Sequence, residues 1–293
     1  MASPIHCRQK ICGATIHLAP PVFIPQHPKS IHETEISKVL AFPDAAQLGP
    51  DAAADVDLSL FVCFTNRSGS NFLTDLLMAT GQLPDGTECF NHPVVIRAAR
   101  QHHLKSFADY CRYHAERRAR KRRFVAKVSA GQLLTLARLG YLGTVFPNPH
   151  FIHIQRYDVV AQAISFTLAK STRAFASYHA PLIAESDVVF DAGSLTTLID
   201  NINQSNAVLR EFLLLNRLDH MPVLYEHLVA DHEVILERIF AWLGLDAPML
   251  DRARLRYERQ ASTVKDEWYA RYVAEQNSSP LPAAPRPTWF GRR

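Results

Sequence analysis

The chain reads as an α/β protein of three layers, a mostly parallel sheet flanked by helices. Three observations carry that reading. Short apolar runs of strand length alternate with stretches of helical period. The strand candidates are apolar almost throughout rather than on alternate residues, as strands covered on both faces are. Apolar residues make up 47% of the 293 residues and charged residues 20%, enough to fill a large core.

The first strand candidate is Leu58-Ser-Leu-Phe-Val-Cys-Phe64. Asn71 to Thr80 follows, with apolar residues at 72, 73, 76, 77 and 79 and Gly81 placed to end a helix. Phe124–Val128, Phe151–Ile154 and Val223–Tyr225 are further strand candidates. Val159–Lys170, Leu195–Leu218 and His232–Leu243 carry helical periods between and after them. Proline is concentrated at the ends, with seven of 18 in residues 1–50 and four in 280–287. We therefore expect an irregular N-terminal extension over 1–55, a folded domain over 56–276 and a disordered Pro-rich tail over 277–293.

Several function classes recede on composition. The formal charge of +4 is too mild to argue for nucleic acid. No 18-residue apolar run is present, and the first ten residues lack the apolar segment of a secretory signal. The five cysteines, 7, 12, 63, 89 and 111, form no CxxC or Cys/His zinc spacing, which reads as reduced thiols in the cytoplasm. His102-His103 and His150-x-x-His153 show no carboxylate support and read as non-metal.

Ligands of parallel sheets bind beyond the carboxyl ends of the strands. After the first strand comes Thr65-Asn66-Arg67-Ser68-Gly69-Ser70-Asn71, then a helix. That layout aims backbone N–H groups and the positive end of a helix dipole at one spot, and it suits an anion. Gly69 permits close backbone approach, Ser68 and Ser70 offer hydroxyls, and Arg67 offers a planar fork for phosphate oxygens. The GxxxxGK[ST] pattern of nucleotide triphosphatases is missing, which disfavours ATP with magnesium. An ordinary capped βα turn remains an equal alternative for the loop alone. At the third strand candidate, Arg156 falls at the carboxyl end, Asp158 is placed to cap the next helix, and Ser165 lies within it. Taken alone, a surface arginine and a capping aspartate account for that segment.

These residues resemble the bacterial sulfotransferase family typified by a trehalose-modifying enzyme. Arg67-Ser-Gly-Ser-Asn-Phe72-Leu73 looks like its 5′-phosphosulfate loop, and Glu88-Cys-Phe90 like its Glu-x-Phe segment. Arg156-Tyr-Asp-Val-Val-x-Gln162-Ala-x-Ser165-Phe166 looks like its 3′-phosphate segment. Glu258-Arg259-Gln260-Ala261, with Asp266-Glu-Trp268 and Arg271-Tyr272 behind it, looks like its cofactor-covering segment.

The resemblance implies a P-loop-like sulfotransferase fold and the donor 3′-phosphoadenosine 5′-phosphosulfate (product adenosine 3′,5′-bisphosphate); the sequence offers no carboxylate cluster for magnesium, so no metal is expected. The resemblance also implies a carbohydrate or glycolipid hydroxyl as acceptor, and a homodimer. Arg67, Ser68, Gly69, Ser70, Asn71 and Phe72 would hold the 5′-phosphosulfate, and Arg156 and Ser165 the 3′-phosphate. Arg259 and Gln260 would cover the adenine or 3′-phosphate. By the resemblance Glu88 takes the role of general base. Lys127, inside an apolar strand, is expected to face the sulfonate or the bridging oxygen, with a lysine snorkelling from an edge strand as an equal alternative. Trp268 and Tyr272, four apart on a helical stretch, are expected to pack. Residues 1–55 have no counterpart in the resemblance.

Six of the seven residues 117–123 are basic. A solvated helix face leading into the next strand is the favoured reading of that run. Peripheral contact with an anionic membrane, or a nucleic-acid module, is its alternative. For the chain as a whole, a P-loop-like small-molecule kinase is the other enzyme class considered.

Overall fold

The computed structural model describes residues 22–175, 180–256 and 262–278. These divide into two units: one holds residues up to Gln155 together with Ser205–Arg256, the other Arg156–Gln204 and the residues from 257 onward.

The first unit opens with α1 (Ile31–Ser37), which Ser30 starts by accepting the Glu33 N–H. β1 (Leu58–Phe64) and α2 (Ser70–Ala79) follow, then α3 (His92–Gln101), α4 (Phe107–Arg118) and β2 (Arg123–Val128). Next come α5 (Ala130–Arg138), the single turn α6 (Tyr141–Thr144) and β3 (Pro149–Gln155). In the second unit α7 (Val159–Thr172) leads to α8 (Ala192–Leu215), which crosses back into the first. β4 (His220–Leu224), α9 (Tyr225–Ala230) and α10 (His232–Trp242) complete the first unit, and α11 (Thr263–Ser278) belongs to the second.

The four strands form one all-parallel sheet in the order β2-β1-β3-β4. Side chains alternate between two apolar layers, as the pleat requires. Phe61, Cys63, Phe124, Ala126, Val128 and Phe151 point into one core, which α1, α3, α4 and α5 cover with the end of α8. Leu60, Val62, Phe64, Val125, Ile152, Ile154 and Val223 point into the other, covered by α2, α9 and α10. Helices on both faces are the expected three-layer arrangement. Every residue of β1 is buried, which explains why its sequence is a run and not an alternation.

β1 and α2 stand within a residue of where the apolar pattern places them, and Gly81 follows the C-cap Thr80 at φ 68°. The Pro-rich N-terminal segment departs from the irregular extension that its composition suggests. Its described part sends Ile36, Leu40 and Ala54 into the core, and Val22 and Ile24 pack against them. Glu33 accepts from Thr135 Oγ1 and pairs with Arg138 of α5. Proline marks where regular structure stops, not where burial stops, so composition cannot see this packing. The expected tail begins at 277, yet α11 runs to Ser278, and the rest of the tail lies outside the described residues.

The second unit has its own apolar cluster, in which Ala163, Ile164 and Leu168 of α7 meet Leu195, Ile202, Trp268 and Tyr272. Trp268 and Tyr272 are thus packing residues, and the Tyr272 hydroxyl lies 3.0 Å from Thr196 Oγ1.

Candidate active site

The loop after β1 ends in a turn that only glycine can make. Gly69, the N-cap of α2, has φ 93°, and a Cβ there would come within 2.3 Å of the Tyr225 ring. Gly69 itself offers no side-chain cap to α2. Ser68 is fully buried, and its hydroxyl has no hydrogen-bond partner among the described residues. A buried unpaired hydroxyl at the positive end of a ten-residue helix suits an incoming oxyanion. Ser70 is also buried, and Arg67 precedes the turn at φ 64°.

Lys127 lies on the edge strand but does not reach out to solvent, its side chain being 7% exposed. Its ammonium donates to Asn71 Oδ1 of the loop and sits 3.1 Å from Glu88 Oε1, with the Phe64 ring 5.5 Å away. The partner that burial of a lysine demands is therefore Glu88.

Glu88 is held from both sides in the chain. Thr87 bridges to Ala126 beside β2 and accepts the Lys127 N–H at 2.9 Å, while Cys89 and Phe90 are buried in the core. Asn91 Nδ2 donates to Glu88 Oε2 at 2.9 Å, and Gln132 Nε2 donates to Asn91 Oδ1 at 2.9 Å. Gln132 is itself fixed by a capping box, its Oε1 accepting from the Ser129 N–H at 3.0 Å. The Glu88 side chain keeps about a third of its surface exposed.

Asn91 and Gln132 were not singled out from sequence. Ser129-x-x-Gln132 carries the capping-box signature that would have marked the second of them. His92, next to this segment, pairs with His32 of α1, their Nδ1 atoms 3.0 Å apart, while the His92 N–H donates to the same His32 nitrogen at 3.1 Å. Burial and the neighbouring His92 hold the His32 pKa below its ordinary value.

A further ion pair steadies α2. Asp75, buried, accepts from the Arg256 N–H at 2.6 Å and from its Nε at 3.0 Å. Arg256 precedes the segment containing Arg259 and Gln260, and those two candidates lie outside the described residues. In the second unit, Asp158 caps α7 by accepting the Ala161 N–H, Arg156 is half-buried just before that helix, and Ser165 is buried on it.

The basic run is not one helix face. α4 ends at Arg118, Lys121 and Arg122 turn with positive φ, and Arg122 pairs with Asp55 and Asp57. Among the described residues no group of three His, Cys, Asp or Glu side chains is placed to hold a metal ion. None of their helices is long and apolar enough to cross a membrane.

Residues 134–275 match the family described as Stf0 sulphotransferase. That region is similar to the bacterial sulfotransferase family. The chain is similar to trehalose 2-sulfotransferase of Mycobacterium tuberculosis (strain ATCC 35801 / TMC 107 / Erdman), 31% identical over 135 residues, 46% of this chain and 49% of the relative. It is also similar to the protein of the same name from Mycolicibacterium smegmatis (strain ATCC 700084 / mc(2)155), 28% identical over the same shares. The chain spans about half the length of these relatives. Arg156, Ser165, Arg259 and Gln260 fall inside the family region, whereas Arg67, Glu88 and Lys127 fall before it.

Proposed function

We propose that the chain is a sulfotransferase that moves a sulfo group from 3′-phosphoadenosine 5′-phosphosulfate to a carbohydrate or glycolipid hydroxyl, with Glu88 as general base. The observation that carries this reading is the Glu88–Lys127–Asn71 cluster, an ammonium that meets both a carboxylate and the loop after β1. The family region supports it, and so do the relatives' names, which supply the carbohydrate.

The loop fits the phosphosulfate group on the orphaned Ser68 hydroxyl and on the glycine turn that a Cβ would block. Bound there, the donor supplies an electrophilic sulfonyl group with a phosphate as its leaving group. The chain's residues do the rest. Ser68, Ser70 and the first N–H groups of α2 hold the oxyanion, with Arg67 and Phe72 contributing to the same loop. Lys127 places a fixed positive charge beside the loop, where negative charge builds on the leaving oxygen. Glu88 accepts the acceptor hydroxyl's proton on a carboxylate that Asn91 and Gln132 orient. Arg156 and Ser165 are assigned to the 3′-phosphate, with Arg259 and Gln260 covering the nucleotide. The remaining organisation we propose is a domain over 56–276, a cytoplasmic setting and a homodimer.

Mass spectrometry of trehalose and other sugars incubated with protein and donor reads the transfer directly as an added sulfo group. Glu88→Gln is expected to retain adenosine 3′,5′-bisphosphate binding and to lose about 10²–10⁴ in turnover. Near-normal turnover in that variant would remove Glu88 from the mechanism. Arg156→Ala should weaken adenosine 3′,5′-bisphosphate far more than adenosine 5′-phosphate, and equal weakening of both would contradict its assignment.

A further inference from the structure

Away from the phosphate loop, the first unit is open between α3 and α4. A cleft of about 490 Å³ opens there, and its lining includes neither Glu88, Lys127 nor any residue of the phosphate loop. Three arginines line it, Arg97 from α3 and Arg117 and Arg118 from the end of α4. Among the described residues no aspartate or glutamate lines it. Among the described residues none of these three arginines has a carboxylate within 4.0 Å, although other arginines of this unit, Arg122, Arg138 and Arg256, do. Cations in the last turn of α4 suit its dipole, but that accounts for neither Arg97 on the opposite wall nor the missing counter-charge.

The cleft also carries groups of another kind. Tyr113 packs its ring against His102, centroids 4.7 Å apart, and Arg117 lies 6.0 Å over the same tyrosine ring. His114 lines the cleft, is only 8% exposed, and its Nε2 has no hydrogen-bond partner among the described residues. Its other ring nitrogen makes a long 3.5 Å contact to the Tyr110 hydroxyl, whose proton is committed to the Cys89 carbonyl at 2.5 Å. That commitment puts the imidazole proton on Nδ1 and leaves Nε2 as an acceptor. Burial and the two nearby arginines lower the His114 pKa to about 4, so the ring is neutral at pH 7.

We infer that this cleft binds a small hydroxylated oxyanion, a phosphate or sulfate ester of a sugar-like molecule. The arginines take the ester oxygens in planar, charge-assisted bonds. The Tyr113 and His102 rings offer a flat wall to the carbon skeleton, and a ligand hydroxyl supplies the donor that His114 Nε2 lacks. Part of the basic run thereby becomes the rim of a ligand site. The site stands independently of the sulfotransfer reading.

The test is histidine-ring NMR on the full chain, with the His114 signal assigned through His114→Gln. The probes are glucose 6-phosphate, inorganic phosphate and glucose. Glucose 6-phosphate should shift the His114 signal saturably, and Arg97→Gln or Arg118→Gln, both at exposed positions, should weaken it about tenfold or more. Ser68→Ala should leave it unchanged, which separates this site from the phosphate loop. An unresponsive His114, or a response that survives both arginine substitutions, would overturn the proposal. Inorganic phosphate binding as tightly as the sugar ester would overturn the part assigned to the hydroxyl. If His114→Gln fails to fold, the Arg118→Gln variant, whose guanidinium neighbours that ring, assigns the signal instead.

Discussion

Gly69 shows how much one residue carries. Its positive φ and the Tyr225 ring behind it forbid a side chain on two separate grounds. Gly69→Ala is expected to cost about 1–3 kcal/mol in chemical denaturation, from backbone strain, with a further cost as the ring is displaced. It should also weaken adenosine 3′,5′-bisphosphate. A variant with unchanged stability and unchanged affinity would show that the turn is not what shapes the loop. Lys127 makes the complementary point. Its burial is tolerable because a carboxylate and an amide oxygen meet it. The sequence shows the lysine inside an apolar run but not that Glu88, 39 residues away, comes to it.

At the scale of elements, α1 is too short to persist alone, and packing must hold it. Ile36 is 2% exposed in the main core, and the ion pair of Glu33 with Arg138 ties the same helix to α5. Ile36→Ala should therefore cost about 2–5 kcal/mol, the usual range for emptying a buried aliphatic site. A loss below half a kcal/mol, measured by urea unfolding, would mean that the N-terminal segment is an appendage after all. The pairing of His32 with His92 gives α1 a second role, since it abuts the residue that opens α3 just after Glu88. Elements with strong internal period, such as β1, α2 and α10, were legible to within a residue or so. The starts of α4 and α5 were legible in principle, because Ser106-x-x-Asp109 and Ser129-x-x-Gln132 are capping boxes. α1 carried no such period, and its proline-rich surroundings masked it.

For the whole molecule, pH is the informative variable. His114 and His153 are buried, and burial lowers the pKa of each to about 4; His32 is shifted in the same direction. A histidine with a folded pKa below its unfolded value near 6.5 binds its proton more readily when the chain is unfolded. Its stabilising contribution is complete above that unfolded value and is lost as pH falls toward the folded pKa. His114 and His153 should each account for on the order of 3 kcal/mol lost between about pH 6.5 and 4. Thermal unfolding across that range should show a steep fall in Tm, and His153→Gln should flatten it. A Tm independent of pH over this window would contradict the burial argument.

By itself the sequence determined the α/β class and the parallel strands, and it marked the loop after β1 as a candidate anion site; Glu88 became a base candidate only through the family resemblance. The class, the strands and the loop rest on local signals, namely hydrophobic period, turn residues and short motifs read within a few positions. Only the tertiary structure decided that Lys127 meets Glu88, that Asn91 and Gln132 orient it, that α1 belongs to the core, and that Arg97 shares a cleft with Arg117 and Arg118. Those pairings join residues that are distant along the chain. They depend on how the covered sheet and its helices fill space, and no local period records that.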